Sequence, residues 1–359
     1  MTYESYLKTV YIKLTNRCNL TCDHCYNSVC KDQGQMSEKT ITKIVDYIYD
    51  LKEQGYMVEV ALHGGEPMLF RDMELLWDLV LTLEEMGVYV TMTTNLVYRV
   101  NNEHIALFTH FKQFDGTCLV LTSWDYKIRF KKKEQLLQWE RSVKKILSHE
   151  IKVQPIVSLT KLLLEEKTPE EIFEYMYNLG VPNMNFERLT CNGRAKDNND
   201  VLMPTNKQVD EWLAHAYKVY RENENWKKME IPIFESLEWA VAEGKFIGCR
   251  ERKCTQNVRT FNPDGSCATC PNIPLDILGN INSQVAKKQL YDIEGGIESN
   301  KKYIQLRELE ELRKDECYLC DLFSVCNGDC FQLGWDDTGC PGLKETFKEV
   351  ARHASEFTE

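Results

Sequence analysis

The stretch Cys18-Asn19-Leu20-Thr21-Cys22-Asp23-His24-Cys25 spaces three thiols with three and then two residues between them, just after the apolar run Val10-Tyr11-Ile12-Lys13-Leu14. Thiols at that spacing can converge on one face of a short loop, where soft thiolate ligands select iron–sulfur, zinc or copper(I). The number three is informative. A closed structural site takes four protein ligands, whereas three leave one position open for a substrate or cofactor, as in catalytic zinc sites. The competing reading is a zinc knuckle that borrows its fourth ligand from His24 or Cys30.

A second thiol-rich region follows much later. Nine of the fifteen cysteines lie between residues 249 and 340: Cys249, Cys254, Cys267, Cys270, Cys317, Cys320, Cys326, Cys330 and Cys340. With little alternating apolar pattern there, metal sites are expected to supply part of the folding free energy. Zinc ribbons are one reading; nine thiols with few nearby histidines also fit two four-thiolate clusters and one spare.

The elements that must position these residues follow from the pattern between residue 10 and about 188, where short β-rich runs alternate with longer helical ones. Strands are expected at 10–14, 57–62, 88–93, 117–123, 151–158 and 182–188, and helices at about 37–54, 72–86, 101–112, 134–149 and 168–179. Such alternation argues for parallel βα units. Six strands fall short of eight, so the expected α/β architecture is a partial, laterally open (β/α)6 TIM-like barrel; a doubly wound open sheet would give a similar one-dimensional pattern. Both place chemistry at the carboxyl ends of the strands. There the chain carries the cysteine loop, His63-Gly64-Gly65-Glu66-Pro67, Thr93-Thr94-Asn95, Ser123-Trp124-Asp125 and Glu187-Arg188-Leu189. Gly64 and Gly65 would let the backbone approach a ligand closely, and Glu66 offers an acceptor for an ammonium group. The expected divisions are a barrel over 1–190, a helical connector over 191–245, a small cysteine-rich domain over 246–345 and a helix or tail over 346–359.

Composition narrows the class. At 359 residues and 43% hydrophobic content the chain can bury a sizeable core. It shows no secretory signal and no run of roughly 20 apolar residues, so a cytoplasmic protein without a membrane partner is expected. A reducing compartment keeps thiols free and favours metal binding or catalysis over disulfides. The net charge of −11 argues against a nucleic-acid partner. The one basic run, Lys127 to Lys133, reads as a solvated helix entrance or a contact for an acidic substrate.

Taken together, residues 10 to about 345 resemble the radical S-adenosylmethionine (SAM) enzymes, specifically those with a C-terminal SPASM auxiliary-cluster domain. Cys18, Cys22 and Cys25 match the family's Cys-x3-Cys-x2-Cys loop. Cys254, ten residues, Gly265, four residues and Cys270 match the first half of its seven-cysteine signature; Cys317-x2-Cys320-x5-Cys326-x3-Cys330 followed by Cys340 match the second. The resemblance implies S-adenosylmethionine and three [4Fe-4S] clusters. The first cluster would sit on Cys18, Cys22 and Cys25, its fourth iron chelated by the amino and carboxylate groups of S-adenosylmethionine. Gly64, Gly65 and Glu66 match the segment holding the amino group, Ser123 the ribose contact and Arg129 the carboxylate partner. Asn95, His24 and Leu189 complete the expected cofactor-binding set. The auxiliary sites would take Cys249, Cys254, Cys270 and Cys330, and Cys317, Cys320, Cys326 and Cys340, with Cys330 crossing back to tie the two halves. Cys30, Cys118, Cys191 and Cys267 are left over and read as inert buried thiols.

The implied chemistry is reductive cleavage of S-adenosylmethionine to methionine and a 5′-deoxyadenosyl radical that removes a substrate hydrogen. Fully ligated auxiliary clusters suit a net two-electron oxidation. The expected oxidoreductase modifies a ribosomal peptide or protein side chain, by crosslinking or dehydrogenation, with a flavodoxin or ferredoxin as electron donor. Because the first strand starts near residue 10, no fused leader-peptide-binding domain is expected, and a separate recognition protein or direct binding would serve. Pro271 stands where sulfatase maturases carry an Asp, which argues against formylglycine formation. The alternatives are a small-molecule dehydrogenase of a sugar alcohol or amino sugar, and a redox-neutral peptide epimerase in which Cys191 returns a hydrogen atom. A non-catalytic iron–sulfur or zinc scaffold would leave Gly64-Gly65-Glu66 and Ser123 unexplained.

Overall fold

The computed structural model describes residues 7–30, 34–244, 246–283, 290 and 297–354. The six expected strands are present as β1 (Leu7–Thr15), β2 (Met57–Gly64), β3 (Tyr89–Met92), β4 (Leu119–Trp124), β5 (Lys152–Leu159) and β6 (Asn185–Arg188). The helices between them are α1 (Glu38–Glu53), α2 (Met73–Glu85), α3 (Asn102–Phe108), α4 (Lys133–Leu147), an additional short α5 (Lys161–Glu166) and α6 (Pro169–Leu179). Local chemistry fixes their ends. Ser37 caps α1 by accepting from the Thr40 amide at 3.2 Å, and Thr168, Pro169 and Glu171 form a capping box at the start of α6.

Period-two alternation sorts the strand residues. On β1, Val10, Ile12 and Leu14 are fully buried in the core, while Leu7, Thr9 and Tyr11 face an interior cavity. On β2 the same parity buries Val58, Val60 and Leu62 and turns Glu59, Ala61 and His63 inward. On β4 the outward Thr122 accepts from the indole of Trp139 in α4 at 3.0 Å, which docks that helix.

All neighbours in the wall are parallel, with Tyr11 opposite Ala61, Ala61 opposite Thr91, and Ser123 opposite Ile156. Strands β3 and β4 meet through the Thr93–Leu121 bridge, reinforced by the Thr94 amide donating to the Leu121 carbonyl at 2.9 Å. That join excludes the doubly wound alternative, because a sheet of that class would reverse its order at β1. The six strands form one curved, open wall. The cysteine-rich region extends it: β7 (Val258–Phe261) pairs parallel with the free edge of β1, followed by the antiparallel β8 (Ser266–Ala268) and β9 (Ile277–Asn280). Among the described residues no strand pairing closes β6 onto β7, which leaves the barrel open at one side.

Outside the wall, helices Asn206–Glu222 and Pro232–Glu243 bury Tyr217, Tyr220 and Phe234 against Phe173 and Phe186. Helix Lys344–Arg352 is pinned to them by Asp210, which accepts from the Thr346 amide and hydroxyl at 2.9 and 2.8 Å. Residues 355–359 of the expected tail lie outside the described residues. No described helix is long and apolar enough to cross a membrane.

One buried carboxylate joins the barrel to the cysteine-rich region. Asp329 is 4% exposed and faces Arg188, at the end of β6, at 3.2 Å and Arg250 at 3.3 Å. Burial raises its pKa, but the two guanidinium groups hold it below the usual range. Removing one partner of a buried ionic cluster strands the rest, at a cost of about 3–5 kcal/mol. Asp329→Ala is therefore expected to lower the midpoint of chemical unfolding by that order while Asp329→Asn loses less; an unchanged midpoint for the alanine variant would show that this seam is not held by charge.

Candidate active site

The loop from Cys18 to Cys25 has no regular structure of its own, and its backbone is fastened from four directions. The amides of Gly65 and Glu66 donate to the carbonyls of Thr15 and Arg17 at 2.7 and 2.8 Å. A Cβ on Gly65 would collide with the Arg17 carbonyl and one on Gly64, at φ +130°, with that of Thr15. The two glycines are thus needed for close approach to the cysteine loop itself. From the connector, the Arg194 amide donates to the Cys25 carbonyl at 3.2 Å, its guanidinium to the Cys22 carbonyl at 3.2 Å, and Asn198 to the Asp23 carbonyl at 3.0 Å. Gly193, at φ +56°, passes against the Cys25 carbonyl with no room for a side chain. This clamp was hidden in what reads as a polar linker.

Cys18, Cys22 and Cys25 line one end of a cavity of about 520 Å³. Cys18 accepts from the Leu20 amide at 3.4 Å and the Asn95 side-chain amide at 3.8 Å. Asn95 is itself fixed by Asn19 at 2.7 Å. His24, Gly64, Gly65, Asn95, Ser123, Arg129 and Leu189 also line the cavity. Asp125, fully buried, holds two of them: Arg129 donates to it through Nε at 2.5 Å, and His24 Nε2 stands 3.4 Å away. Burial would raise the Asp125 pKa, yet Arg129 and His24 keep it lowered. Burial lowers that of His24, whose Nδ1 is buried without a hydrogen-bond partner. An orphaned polar atom and a fixed guanidinium beside three thiols are what a zwitterionic cofactor chelated to a cluster would use. The residues fit S-adenosylmethionine.

Glu66 departs from expectation. It is fully buried and is not part of the cavity wall. Its oxygens accept from the Thr94 hydroxyl and the Asn95 amide, both at 2.7 Å, and from the Met68 amide at 3.0 Å. Three of its acceptor positions are taken up by the β3 exit and the Met68 amide, so that Glu66 positions Asn95. Cys191 departs further. It is exposed, lies outside the cavity wall and donates to Asn199 at 3.4 Å. The chain turns outward there, with the Asn192 amide donating to the Thr190 carbonyl at 2.8 Å. Its exposure corrects the buried-thiol reading of Cys191. Of the other spare thiols, Cys267 is fully buried in β8, which pushes its pKa up to about 12.

Cys249, Cys254 and Cys270 line the same cavity, and the Cys249 thiol lies within hydrogen-bonding reach of both Cys254 and Cys330. Cys317, Cys320, Cys326 and Cys340 line a separate cavity of about 270 Å³. Among the described residues no three His, Cys, Asp or Glu side chains converge tightly enough to hold a single metal ion.

Sequence reading missed Tyr11 and Glu59 from the strands and Tyr26 from the turn that follows the cysteine loop, and it placed His63 and Glu187 at the strand ends without giving either a role on the inner wall. Strand parity is the signal that could have found the four strand residues. His63 Nδ1 accepts from the Gly64 amide at 2.8 Å, so Nε2 carries the proton and donates to Tyr26 at 3.0 Å. Burial pushes its pKa down to about 3 and keeps it neutral. Glu187 has accessible surface only because it faces the cavity; the surrounding protein, with Asp125 nearby, pushes its pKa up to about 7.

Comparison with known proteins now gives this geometry a family. Residues 12–179 match the radical SAM superfamily. Over that stretch, a little under half of the chain, the residues are similar to a radical SAM domain. The chain is similar to the "Putative peptide biosynthesis protein YydG" of Bacillus subtilis, at 26% identity over 53% of this chain and 57% of that protein. It is also similar to the PqqA peptide cyclase of Bradyrhizobium diazoefficiens, at 25% identity over 56% of this chain and 52% of that protein. It thus spans little more than half the length of either. Among solved structures, anSMEcpe with bound AdoMet superposes with a TM-score of 0.77 at 20% identity, covering 98% of this chain and 97% of that one. SuiB of Streptococcus suis, bound to its precursor peptide SuiA, gives 0.60 at 14%, covering 91% and 72%. At such identities these two establish the fold, which is that of a radical SAM partial barrel.

Two outcomes follow. Glu66→Ala leaves the buried Asn95 amide and the part-buried Met68 amide without their acceptor, while the Thr94 hydroxyl keeps Tyr98, at about 1–3 kcal/mol for a buried donor, so thermal stability and cofactor affinity should fall together, with Glu66→Gln between; an alanine variant as stable as wild type that no longer binds S-adenosylmethionine would favour a direct contact. For Glu187, a carboxyl raised from its usual 4.5 to about 7 destabilises the fold progressively as pH rises between those values. Glu187→Gln should then gain stability relative to wild type at pH 8 but not at pH 4; equal differences at both would refute the shift.

Proposed function

We propose that this chain is a radical SAM oxidoreductase that crosslinks or dehydrogenates a side chain of a ribosomally made peptide or protein. The observation that carries the reading is that two thiol groups line one cavity, Cys18, Cys22 and Cys25 from the loop after β1 and Cys249, Cys254 and Cys270 from the cysteine-rich region. In this reading the first group holds a four-iron cluster and S-adenosylmethionine. Cys249, Cys254, Cys270 and Cys330 hold one auxiliary cluster of a SPASM domain, and Cys317, Cys320, Cys326 and Cys340 the other. When bound, these groups would supply a 5′-deoxyadenosyl radical for hydrogen abstraction and an acceptor for the second electron.

The chain's own residues do the rest. Arg129, steadied by Asp125, offers its guanidinium to the cofactor carboxylate, and His24, Gly64, Gly65, Asn95, Ser123 and Leu189 complete the cofactor wall. Glu187 stands where a proton released by an oxidised side chain can be taken up, with a pKa suited to neutral pH. About 520 Å³ is the size of a small-molecule site. A peptide would therefore insert one residue while the rest stays outside. The names of the two relatives, a peptide biosynthesis protein and a peptide cyclase, support that substrate class. Cys191, exposed and outside the cavity wall, lends the epimerase alternative no support. A flavodoxin- or ferredoxin-like donor, a separate leader-binding protein and a cytoplasmic setting complete the reading. So do the divisions at 1–190, 191–245, 246–345 and 346–359.

Anaerobically reconstituted protein should hold about twelve iron and twelve sulfide, as three four-iron clusters require. Reduced with dithionite, it should cleave S-adenosylmethionine to 5′-deoxyadenosine, and replacing Cys18, Cys22 and Cys25 together with Ala should abolish this and remove about a third of the iron. Tightly bound zinc in place of iron would defeat the proposal.

A further inference from the structure

Lys13 is fully buried on β1, between Ile12 and Leu14, on the strand face that carries Tyr11 and opposite His63 of β2. It takes no part in the cavity wall, so it is neither a nucleophile nor a substrate contact. Its ammonium donates to Asn27 Oδ1 at 3.2 Å and to the Pro271 carbonyl at 3.3 Å, and lies 5.3 Å from the centre of the Tyr26 ring. All three partners are neutral, and among the described residues no carboxylate pairs with it. Unpaired, a buried ammonium is expensive. Asn27 lies two residues beyond Cys25, and Pro271 directly follows Cys270. The cation therefore sits between the first thiol site and the auxiliary site, bonded to both segments.

The anions that could compensate it are few. Burial lowers the Lys13 pKa to about 8, and the thiols that oppose this are Cys30, Cys270 and Cys25. Cys25 and Cys270 adjoin the two segments that the ammonium is bonded to. His63 is neutral. Only ligation, which deprotonates Cys25 and Cys270 and brings the net negative charge of thiolate-bound clusters, places anions beside the ammonium.

We propose that Lys13 is a positioning residue, the shared counter-charge of two cluster sites, which raises the reduction potential of both the Cys18-Cys22-Cys25 cluster and the Cys249-Cys254-Cys270-Cys330 cluster. The inference rests on the cluster assignment made above. A fixed positive charge favours the reduced, more negative form of each, and nearby charge and hydrogen bonds are among the factors that set cluster potentials. The second auxiliary site faces another cavity and serves as an internal control.

The test is a potentiometric titration of the reconstituted full chain at pH 7, followed by electron paramagnetic resonance, with iron content measured first. Iron-replete Lys13→Met should lower the reduction equilibrium constants of the first and the nearer auxiliary cluster by about tenfold, or about 59 mV for one electron. The cluster on Cys317, Cys320, Cys326 and Cys340 should not move, and Lys13→Arg should keep wild-type potentials. Should the methionine variant load poorly, Lys13→Gln, neutral yet able to bond the Pro271 carbonyl, is titrated in its place. Unchanged potentials in an iron-replete neutral variant, or an equal shift in all three clusters, would overturn the proposal. Wild-type protein that holds no clusters would instead defeat the functional reading.

Discussion

A loop that presents three thiols to one point cannot also satisfy its own backbone, and most of the surrounding structure answers that constraint. Unpaired buried amides and carbonyls are costly. In this chain the carbonyls of Thr15, Arg17, Cys22, Asp23 and Cys25 are met from the β2 exit and from Arg194 and Asn198, while the Asp23 amide donates to Ile128 at 3.3 Å. Segments from three separate stretches of sequence converge on the span from Thr15 to Cys25. Thiols held this way keep their spacing whether or not a cluster is bound, which is the preorganisation a ligand site needs.

The charges around the cavity obey a second rule, that buried ions are paired unless they act. Its cations are matched: Arg129 with Asp125, Arg188 with Asp329, and Lys253 with Glu251 at 2.7 Å. Among the described residues neither Glu59 nor Glu187 has such a partner, and burial raises both pKa values. The free acid–base capacity of the chamber is thus carboxylate, borne on β2 and β6 with Tyr11 between them in the field of both. An arrangement that locks the guanidinium groups and frees a carboxylate suits a reaction that must dispose of a proton.

What the sequence revealed, and what it hid, divides by range. Cysteine spacing and strand alternation are local, and they placed six strands, five helices and the thiol groups close to where they stand. The type and place of Glu66 suit a ligand contact; only the fold shows that it also accepts from Thr94 and the Asn95 amide and so positions the β3 exit. Cys191 was misread because one turn after β6 decides whether a thiol points in or out. The pairing of β7 with β1 spans more than 240 residues of chain, and no periodicity signals it. Lys13 looked like an ordinary polar residue in a strand, although a lysine inside an apolar run, two positions before a buried turn, is a signal of its own.

The division of the late cysteines between two cavities depends on one short segment. Cys326 and Cys330 are four residues apart, which on a helix would put them on the same face. Instead Asn327, Gly328 and Asp329 adopt φ values of +51°, +77° and +54° in succession. Left-handed backbone is tolerated by Asn, Asp and Gly and by few other residues. Neighbours fix the reversal: Arg252 donates to the Gly328 carbonyl at 2.8 Å, Arg313 to that of Asn327 at 2.9 Å, and a Cβ on Gly328 would crowd both guanidinium groups. The same turn buries Asp329 against Arg188 and Arg250, so the residue that ties the barrel to the cysteine-rich region also separates its two thiol sets. Cys326 then faces the outer cavity while Cys330 turns back to Cys249. The Asn-Gly-Asp triplet between two cysteines is thus a structural requirement of the two-site arrangement, because three ordinary L residues in its place would strain the backbone and allow the chain to continue as a helix.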